Sequence, residues 1–525
     1  MTATYRLRCS ADEAPRLAQH IALEQTVEIP EELIDSPELR EAVVGRVRSV
    51  TPCADRAETF LAVIDYPADL AGAHASQLWN LLYGNISLKR HVRLVDLKLP
   101  AALQARYRGP RFGIAGARKL LGVEGRPLLA TALKPRGSSP SRLAELAAAF
   151  AAGGGDIVKD DHNLVDPDFE TFRRRVELCQ SAVETARTDS SRVTLYAPNL
   201  SVPLAELDRA AEFLVRRGVK GALIAPMLLG FETVQRLTAT YPLVWMAHPT
   251  FSGCYFHDPD HGVDPAILLG QWFRLIGCDA TIFPNHGGRF TFTETECADI
   301  ANAARRADGD VVPCWPAPAG GMSFERLPEM AAAYGADAMF LIGGALLGAS
   351  SSLQASTQRF GEQIAACFPQ GRHVTPLADE HFSACEMTLP QSASATTLEH
   401  LAFQTGFRWD GRSAVAYKQN GTLPFKDVAR TELIGRHGEQ TAFDVRYFEI
   451  APGGYSSLEK HAHTHVVIGL RGTGVLDSRG EQRTINPFDI GYVPPLAVHQ
   501  LHNRGDEPFG FLCIVDHDRD RPQAP

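Results

Sequence analysis

Between about residues 106 and 365 the chain alternates short apolar runs with longer Ala-, Leu- and Arg-rich stretches of helical period. Apolar runs bounded by glycine, proline or polar residues read as strands buried on both faces, the pattern of a parallel sheet. Eight such runs occur: Leu128–Leu133, Ile157–Lys159, Thr194–Ala197, Gly221–Ile224, Leu243–Ala247, Ala280–Phe283, Val311–Cys314 and Ala338–Ile342. Eight strand–helix units over about 250 residues predict a (β/α)8 TIM barrel. Residues 1–105 mix short strands, such as Phe60–Tyr66, with helical runs, an α+β pattern. Residues 366–425 are polar and weakly periodic, include Ser392–Thr397, and read as a linker. From 426 to 525 short strands broken by Gly and Pro predict a small all-β barrel.

Composition narrows the setting. A chain of 525 residues divides into two or three domains. The net charge of -9 argues against a nucleic-acid or membrane-surface partner. The chain has no long apolar run of membrane-spanning length and no signal-peptide pattern at Met1–Arg6. Its ten cysteines are scattered without a CxxC pair, which suits reduced thiols and a cytoplasmic location.

Candidate chemistry concentrates in Gly154–His162, where an apolar strand ends in Lys159-Asp160-Asp161-His162. Residues i and i+2 of a strand share a face, so Lys159 and Asp161 point into one cavity, with His162 at the rim. Buried lysine and aspartate are costly unless paired or bound to metal; a strand-end ion-pair cluster is the plain alternative. The string resembles the metal-ligand motif of the RuBisCO large-subunit superfamily. That resemblance implies a carbamylated Lys159 which, with Asp161 and with His162 in place of a glutamate, holds Mg2+. A carbamate turns a cation into an oxygen ligand and suits a hard ion; histidine nitrogen admits a softer divalent ion.

Other segments carry the same resemblance over roughly residues 1–365. Thr131–Gly137 places Lys134 where the family has a proton-transfer lysine, which must be held neutral by burial or a nearby cation to act as a base, and Arg136 where it has a second lysine. His248, followed by Pro249, matches the active-site histidine in the form seen in RuBisCO-like proteins, a general acid/base or substrate-binding position. Arg289 falls at the position of the loop lysine that stabilises carboxylation. Arginine keeps the charge but not the ammonium geometry, so carbon dioxide fixation is not expected. Gly320-Gly321 and Gly343-Gly344 follow the seventh and eighth strands and imply a single-phosphate site. Asn80, in Trp79–Gly84, matches an asparagine that reaches the neighbouring subunit, which implies at least a homodimer and a ferredoxin-like N-terminal domain.

A second metal candidate lies in Glu459-Lys460-His461-Ala462-His463-Thr464-His465, with His499 downstream. Alternate strand positions would place Glu459, His461, His463 and His465 on one interior face. The segment resembles the two cupin motifs. Counting back from Gly472, the resemblance implies the ligand set Glu459, His461, His465 and His499, with His463 and Gln500 as alternates. One carboxylate and three imidazoles suit Mn, Fe, Ni or Zn.

Together these imply a RuBisCO-like protein fused to a cupin, a lyase or isomerase. It would enolise a phosphorylated keto sugar or a 3-oxo sugar acid by metal-assisted proton abstraction, with Lys134 or the carbamate as base, and the cupin would act in the same pathway. Methionine salvage on methylthio-sugar phosphates, with thiol chemistry at the cupin, is a second reading. An inactive barrel with a metabolite-sensing cupin is a third.

Overall fold

The computed structural model describes residues 1–186, 193–307, 309, 311–374, 376, 400–417, 424–437, 441, 443–478 and 480–516. The chain forms two compact units, Met1–Met387 and Thr388–Pro525. Of the stretch expected to be a linker, Ser392–Thr397 lies outside the described residues. The described residues of that stretch hold the end of helix Leu353–Cys367 and the short strands Arg372–His373, Phe403–Gln404, Arg408–Trp409 and Ala414–Ala416.

At the N-terminus, strand Thr2–Arg8 pairs antiparallel with Thr59–Asp65 on one side and Val92–Lys98 on the other, and Arg46–Pro52 pairs with Thr59–Asp65. Helices Ala14–Glu24 and Ala75–Tyr83 complete a βαββαβ order. Their apolar stripes, including Ala18, Ile21, Leu78 and Leu82, share a core with Ala3, Tyr5 and Leu7 of the first strand. This is the ferredoxin-like layer expected. Strand Gly262–Val263, from a barrel loop, adds to its edge parallel to Val92–Lys98.

Eight parallel strands follow in barrel order. The third and fourth close the ring through a bridge at Asn199 and Leu223, where the Leu223 amide donates to the Pro198 carbonyl at 2.8 Å. The inward side chains form one packed cluster that includes Leu128, Ala130, Ile157, Leu195, Met246, Ile282 and Trp315. Each fully buried Leu, Ile or Met among them is worth about 1.5–3 kcal/mol. Strand parity then decides the mouth. Two residues beyond the last packed layer, the inward positions are Lys159 and, next, Lys134, Asp161, Asn199 and His248.

One strand differs from expectation. The seventh is Trp315–Ala319, not Val311–Cys314. Its sequence, Trp-Pro-Ala-Pro-Ala, argues against a central strand because proline cannot donate to a ladder. The Trp315 amide donates to the Asp279 carbonyl on the sixth-strand side, so the missing donors of Pro316 and Pro318 fall on the other side. There the pairing with Met339–Leu341 shrinks to Ala319 opposite Leu341. Burial of Trp315 and Ala317 in the barrel interior outweighs the lost bonds.

The second unit is an antiparallel β barrel whose longest strand, Phe443–Tyr455, pairs with Lys426–Ile434 and Phe509–Asp516. Its core is apolar and aromatic, built on Phe448, Ile450, Val467, Leu501, Phe509 and Phe511. Among the described residues no helix is long and apolar enough to cross a membrane.

Candidate functional site

The fourfold motif at the end of the second barrel strand, Ile157–Asp160, splits by parity into two jobs. Asp160 faces outward, between the strand and helix Phe169–Thr185. It accepts from Arg175, from the Tyr196 hydroxyl at 2.8 Å and from the Asn199 amide at 2.8 Å. Burial pushes its carboxyl up, yet three donors surround it, so this aspartate is structural. Lys159 faces inward and is 2% exposed, its Nζ donating to the Asp160 carbonyl at 2.9 Å. Burial, and secondarily the Lys134 charge, bring its ammonium down to about 8 against the opposing pull of Asp161 and Asp160.

Asp161 gathers the rest of the mouth. Lys134 forms an ion pair with its Oδ2, the Asn163 amide donates to Oδ1 at 3.0 Å, and His162 Nδ1 lies 3.3 Å from Oδ1. Burial alone would raise the Asp161 carboxyl; Lys134 and the Asn163 amide outweigh it and hold it below the usual carboxylate range. His162 stacks on His248 with ring centres 4.1 Å apart and planes 12° from parallel. Burial, with Lys159 and His162 nearby, pulls the His248 imidazolium down to about 2, so the ring is neutral. The Thr250 amide donates to His248 Nδ1 at 3.1 Å. Nδ1 is therefore the acceptor, and the ring proton sits on Nε2.

These residues fit a divalent ion. Lys159, Asp161 and His162 converge, and Lys134 already supplies a cation to Asp161. A carbamate on Lys159 would add a second anion, so two negative charges and one imidazole nitrogen would face the ion. The described barrel residues hold no group of three His, Cys, Asp or Glu donors there, so a carbamate on Lys159 would be what adds a third protein ligand to Asp161 and His162.

Other expected residues stand apart. Arg136 and Arg289 are exposed, the Arg289 guanidinium lying 5.8 Å from the Phe290 ring. Asn80 is exposed on helix Ala75–Tyr83, its carbonyl bonded by Gln25 at 2.8 Å. The four glycines separate into two kinds. Gly320, Gly343 and Gly344 face open space where a Cβ would stand. Gly321 packs against Gly287 and Gly288, where a Cβ would come within 2.8 Å of the Gly288 backbone. The loops after strands six and seven thus touch glycine to glycine, and Arg326 ties them by donating to the Gly321 and His286 carbonyls.

Two site residues were not anticipated. Thr250 sets the His248 tautomer. Asn199 donates to the His162 carbonyl at 3.0 Å and the Leu164 carbonyl at 3.2 Å, holding the loop that carries His162. A polar residue two positions past the strand Leu195–Ala197 is the signal that marks Asn199.

In the second unit the imidazoles assemble differently from expectation. Glu459–Thr464 is not a regular strand: a bridge pairs Glu459 with His499, the chain then bends, and a strand begins only at His465. His461 Nδ1 bonds the His463 carbonyl at 2.7 Å, which closes the bend and stacks the two rings at 3.8 Å. Two overlapping donor groups result, His461–His463–His465 and Glu459–His461–His499, each with ligand atoms within 4.8 Å of one another. His463 is therefore part of the cluster, whereas Gln500 turns away to donate to the Ser456 carbonyl.

The donors suit a transition metal. His461 and His499 each spend Nδ1 on a carbonyl, the second at 2.9 Å from Ala497, which leaves Nε2 as the donor atom. Burial, then the neighbouring histidines, keep His465 neutral far below its ordinary range. Ser457 orients Glu459 at 2.7 Å. Because His461 belongs to both groups, His461→Ala is expected to weaken cupin metal binding by more than about 100-fold, beyond the loss typical of outer-shell partners. His463→Ala, which breaks one group, should cost less than about 10-fold. Equilibrium dialysis with Mn2+ or Zn2+ checks the order; equal losses would refute it.

The model of the ribulose bisphosphate carboxylase large chain catalytic domain matches residues 113–387, and the cupin domain model matches 446–515. A 5-methylthioribulose-1-phosphate isomerase of Rhodospirillum rubrum is 38% identical over 378 residues, 72% of this chain and 99% of that protein. A 2,3-diketo-5-methylthiopentyl-1-phosphate enolase of Geobacillus thermodenitrificans is 32% identical over 310 residues, 58% of this chain and 74% of that protein. The crystal structure of a Rubisco-like protein from Rhodopseudomonas palustris matches with a TM-score of 0.62 at 35% identity, covering 69% of this chain and 97% of that one. The chain therefore belongs to the RuBisCO large-chain family, among its non-carboxylating RuBisCO-like enzymes of isomerase or lyase type, and carries a C-terminal cupin domain.

Proposed function

We propose that the barrel enolises a phosphorylated keto sugar by removing a proton next to its carbonyl, and that the methylthiopentulose phosphates named for its relatives are the first substrates to try. The observation that carries this reading is the inward cluster of Lys159, Asp161, Lys134 and His248. Lys159, as its carbamate, with Asp161 and His162 would hold a divalent ion, which would supply the Lewis acidity that an α-proton abstraction needs. Lys134, now paired with Asp161, would be freed were Asp161 to take up such an ion, and its amine would then take or return a proton at the substrate carbon. His248 presents Nε2–H to a substrate oxygen and, being neutral, donates without adding charge. Gly320, Gly343 and Gly344 leave room for a phosphate against backbone amides. Exposed Asn80 is available to a partner subunit in a homo-oligomer. The cupin centre acts on the same metabolite or its product, and the isomerase relative favours isomerisation over decarboxylation.

The test is solvent deuterium uptake into 5-methylthioribulose 1-phosphate, followed by NMR with Mg2+ or Mn2+ and bicarbonate present. The wild-type chain should exchange the α-proton and fix no labelled carbon dioxide. Lys134→Met should slow exchange by about 10²–10⁴-fold, the usual contribution of a positioned proton-transfer group. Absence of exchange with every phosphorylated ketose tried would rule the reading out.

A further inference from the structure

The cupin interior holds a cation that the candidate metal ligands do not use. Arg446, 8% exposed, lies on strand Phe443–Tyr455 opposite Cys513. Cys513 also faces Val467, and two residues further along Val515 faces His465. Cross-strand partners and i+2 neighbours share a face, so Arg446 and His465 project into the same interior. The charge of Arg446 is among those acting on His465.

Little offsets that charge. One guanidinium nitrogen lies 3.4 Å from Cys513 Sγ, the guanidinium carbon stands 5.2 Å from the Phe448 ring, and Nε is buried with no acceptor. Among the described residues no carboxylate pairs with Arg446. Its cross-strand neighbour Glu432 is engaged by Arg430 at 3.2 Å, and Asp444, on the same face, by Arg436 at 2.8 Å. A buried guanidinium with a thiol and an aromatic ring for company is costly. Such residues persist where function needs them.

We propose that Arg446 anchors the anionic end of the cupin's substrate, a carboxylate or a phosphate monoester, while another donor of the same molecule faces the histidine cluster. This rests on reading that cluster as the cupin's reacting centre. The planar fork of arginine matches two oxygens of either anion.

The test uses the full chain with Lys159→Ala, to clear the barrel of metal, loaded with Mn2+. It is titrated with inorganic phosphate and separately with oxalate, by calorimetry and by water-proton relaxation at Mn2+. At least one anion should bind, and Arg446→Met should weaken it about 30-fold or more, with Arg446→Lys intermediate and Mn2+ stoichiometry unchanged. Phosphate binding alone assigns a phosphate ester, oxalate binding alone a carboxylate. Without anion, Arg446→Met should melt no lower than its parent, because a strained charge has been removed. Equal anion affinity in Arg446→Met, or no binding by the parent, overturns the anchor, and so does a lower melting point with binding unchanged. Should Arg446→Met not fold, Arg446→Gln takes its place. If Mn2+ fails to bind any of the chains, the metal reading falls, and metal-free calorimetry still judges Arg446.

Discussion

Lys159→Ala is expected to slow α-proton exchange by at least about 10³-fold, because it removes the side chain proposed to complete, as its carbamate, an oxygen-rich ligand set with Asp161. The fold should survive. Lys159 makes one hydrogen bond, to the Asp160 carbonyl, and a small apolar residue in a buried mouth leaves no unpaired charge. The pH dependence gives a sharper signature. Carbamate forms from the neutral amine, and burial brings the Lys159 ammonium down to about 8. Below that value most of the lysine is protonated and unreactive. Raising the pH from about 6 through 8 should therefore increase activation by bicarbonate and divalent ion, with a plateau above about 9. Lys159→Met keeps the bulk and loses the nitrogen, so it should show neither activity nor the pH-dependent activation. Exchange that survives in Lys159→Ala, or activation indifferent to pH across this range, would separate the chemistry from Lys159 altogether.

Much of this site was legible because strand parity is a strong constraint. Lys159 and Asp161 share the inward face, and His248 follows inward-facing Met246 by two residues, so all three reach the mouth. Seven of the eight barrel strands were readable from apolar runs bounded by turn residues. The seventh was not, because Trp315–Ala319 violates strand propensity at two prolines and is held by burial that only the closed barrel supplies. Parity also failed at Glu459–Thr464. The His461–His463 bond closes a bend there, which replaces the flat ligand face expected of a strand with two overlapping donor groups, one of them containing His463. Gly321 shows another limit: a glycine pair after a strand signals anion binding, but here one of the two serves a backbone contact with Gly288. Arg446 carried no signal at all, because one arginine in an alternating strand reads as a solvent-facing position until the strand partners are known.

Asp160 and Asp161 stand side by side in sequence, and the difference between them leads to the second large effect. Arg175 is buried with Asp160 on one side and Asp166 at 2.7 Å on the other. Burial works against its charge, but Asp160, Tyr196 and Asp166 outweigh it and hold the guanidinium well above its ordinary range. Arg175→Met leaves Asp160 as an uncompensated carboxylate with 0% exposure, and breaking a buried pair from one side costs about 3–5 kcal/mol. Urea unfolding of the chain should show a loss of that size in the barrel transition. Adding Asp160→Leu should restore much of it, because the stranded charge goes with its partner. The loss should also reach the mouth. The Asn199 amide rests on Asp160, and the Asn199 side chain holds the His162 and Leu164 carbonyls. In the double variant, then, stability should return while exchange activity stays low, since the acceptor that seats Asn199 is gone. A double variant that regains full activity would mean that His162 is held in place by something other than this chain of bonds, and a single variant that loses less than about 1 kcal/mol would mean that Asp160 can reach water.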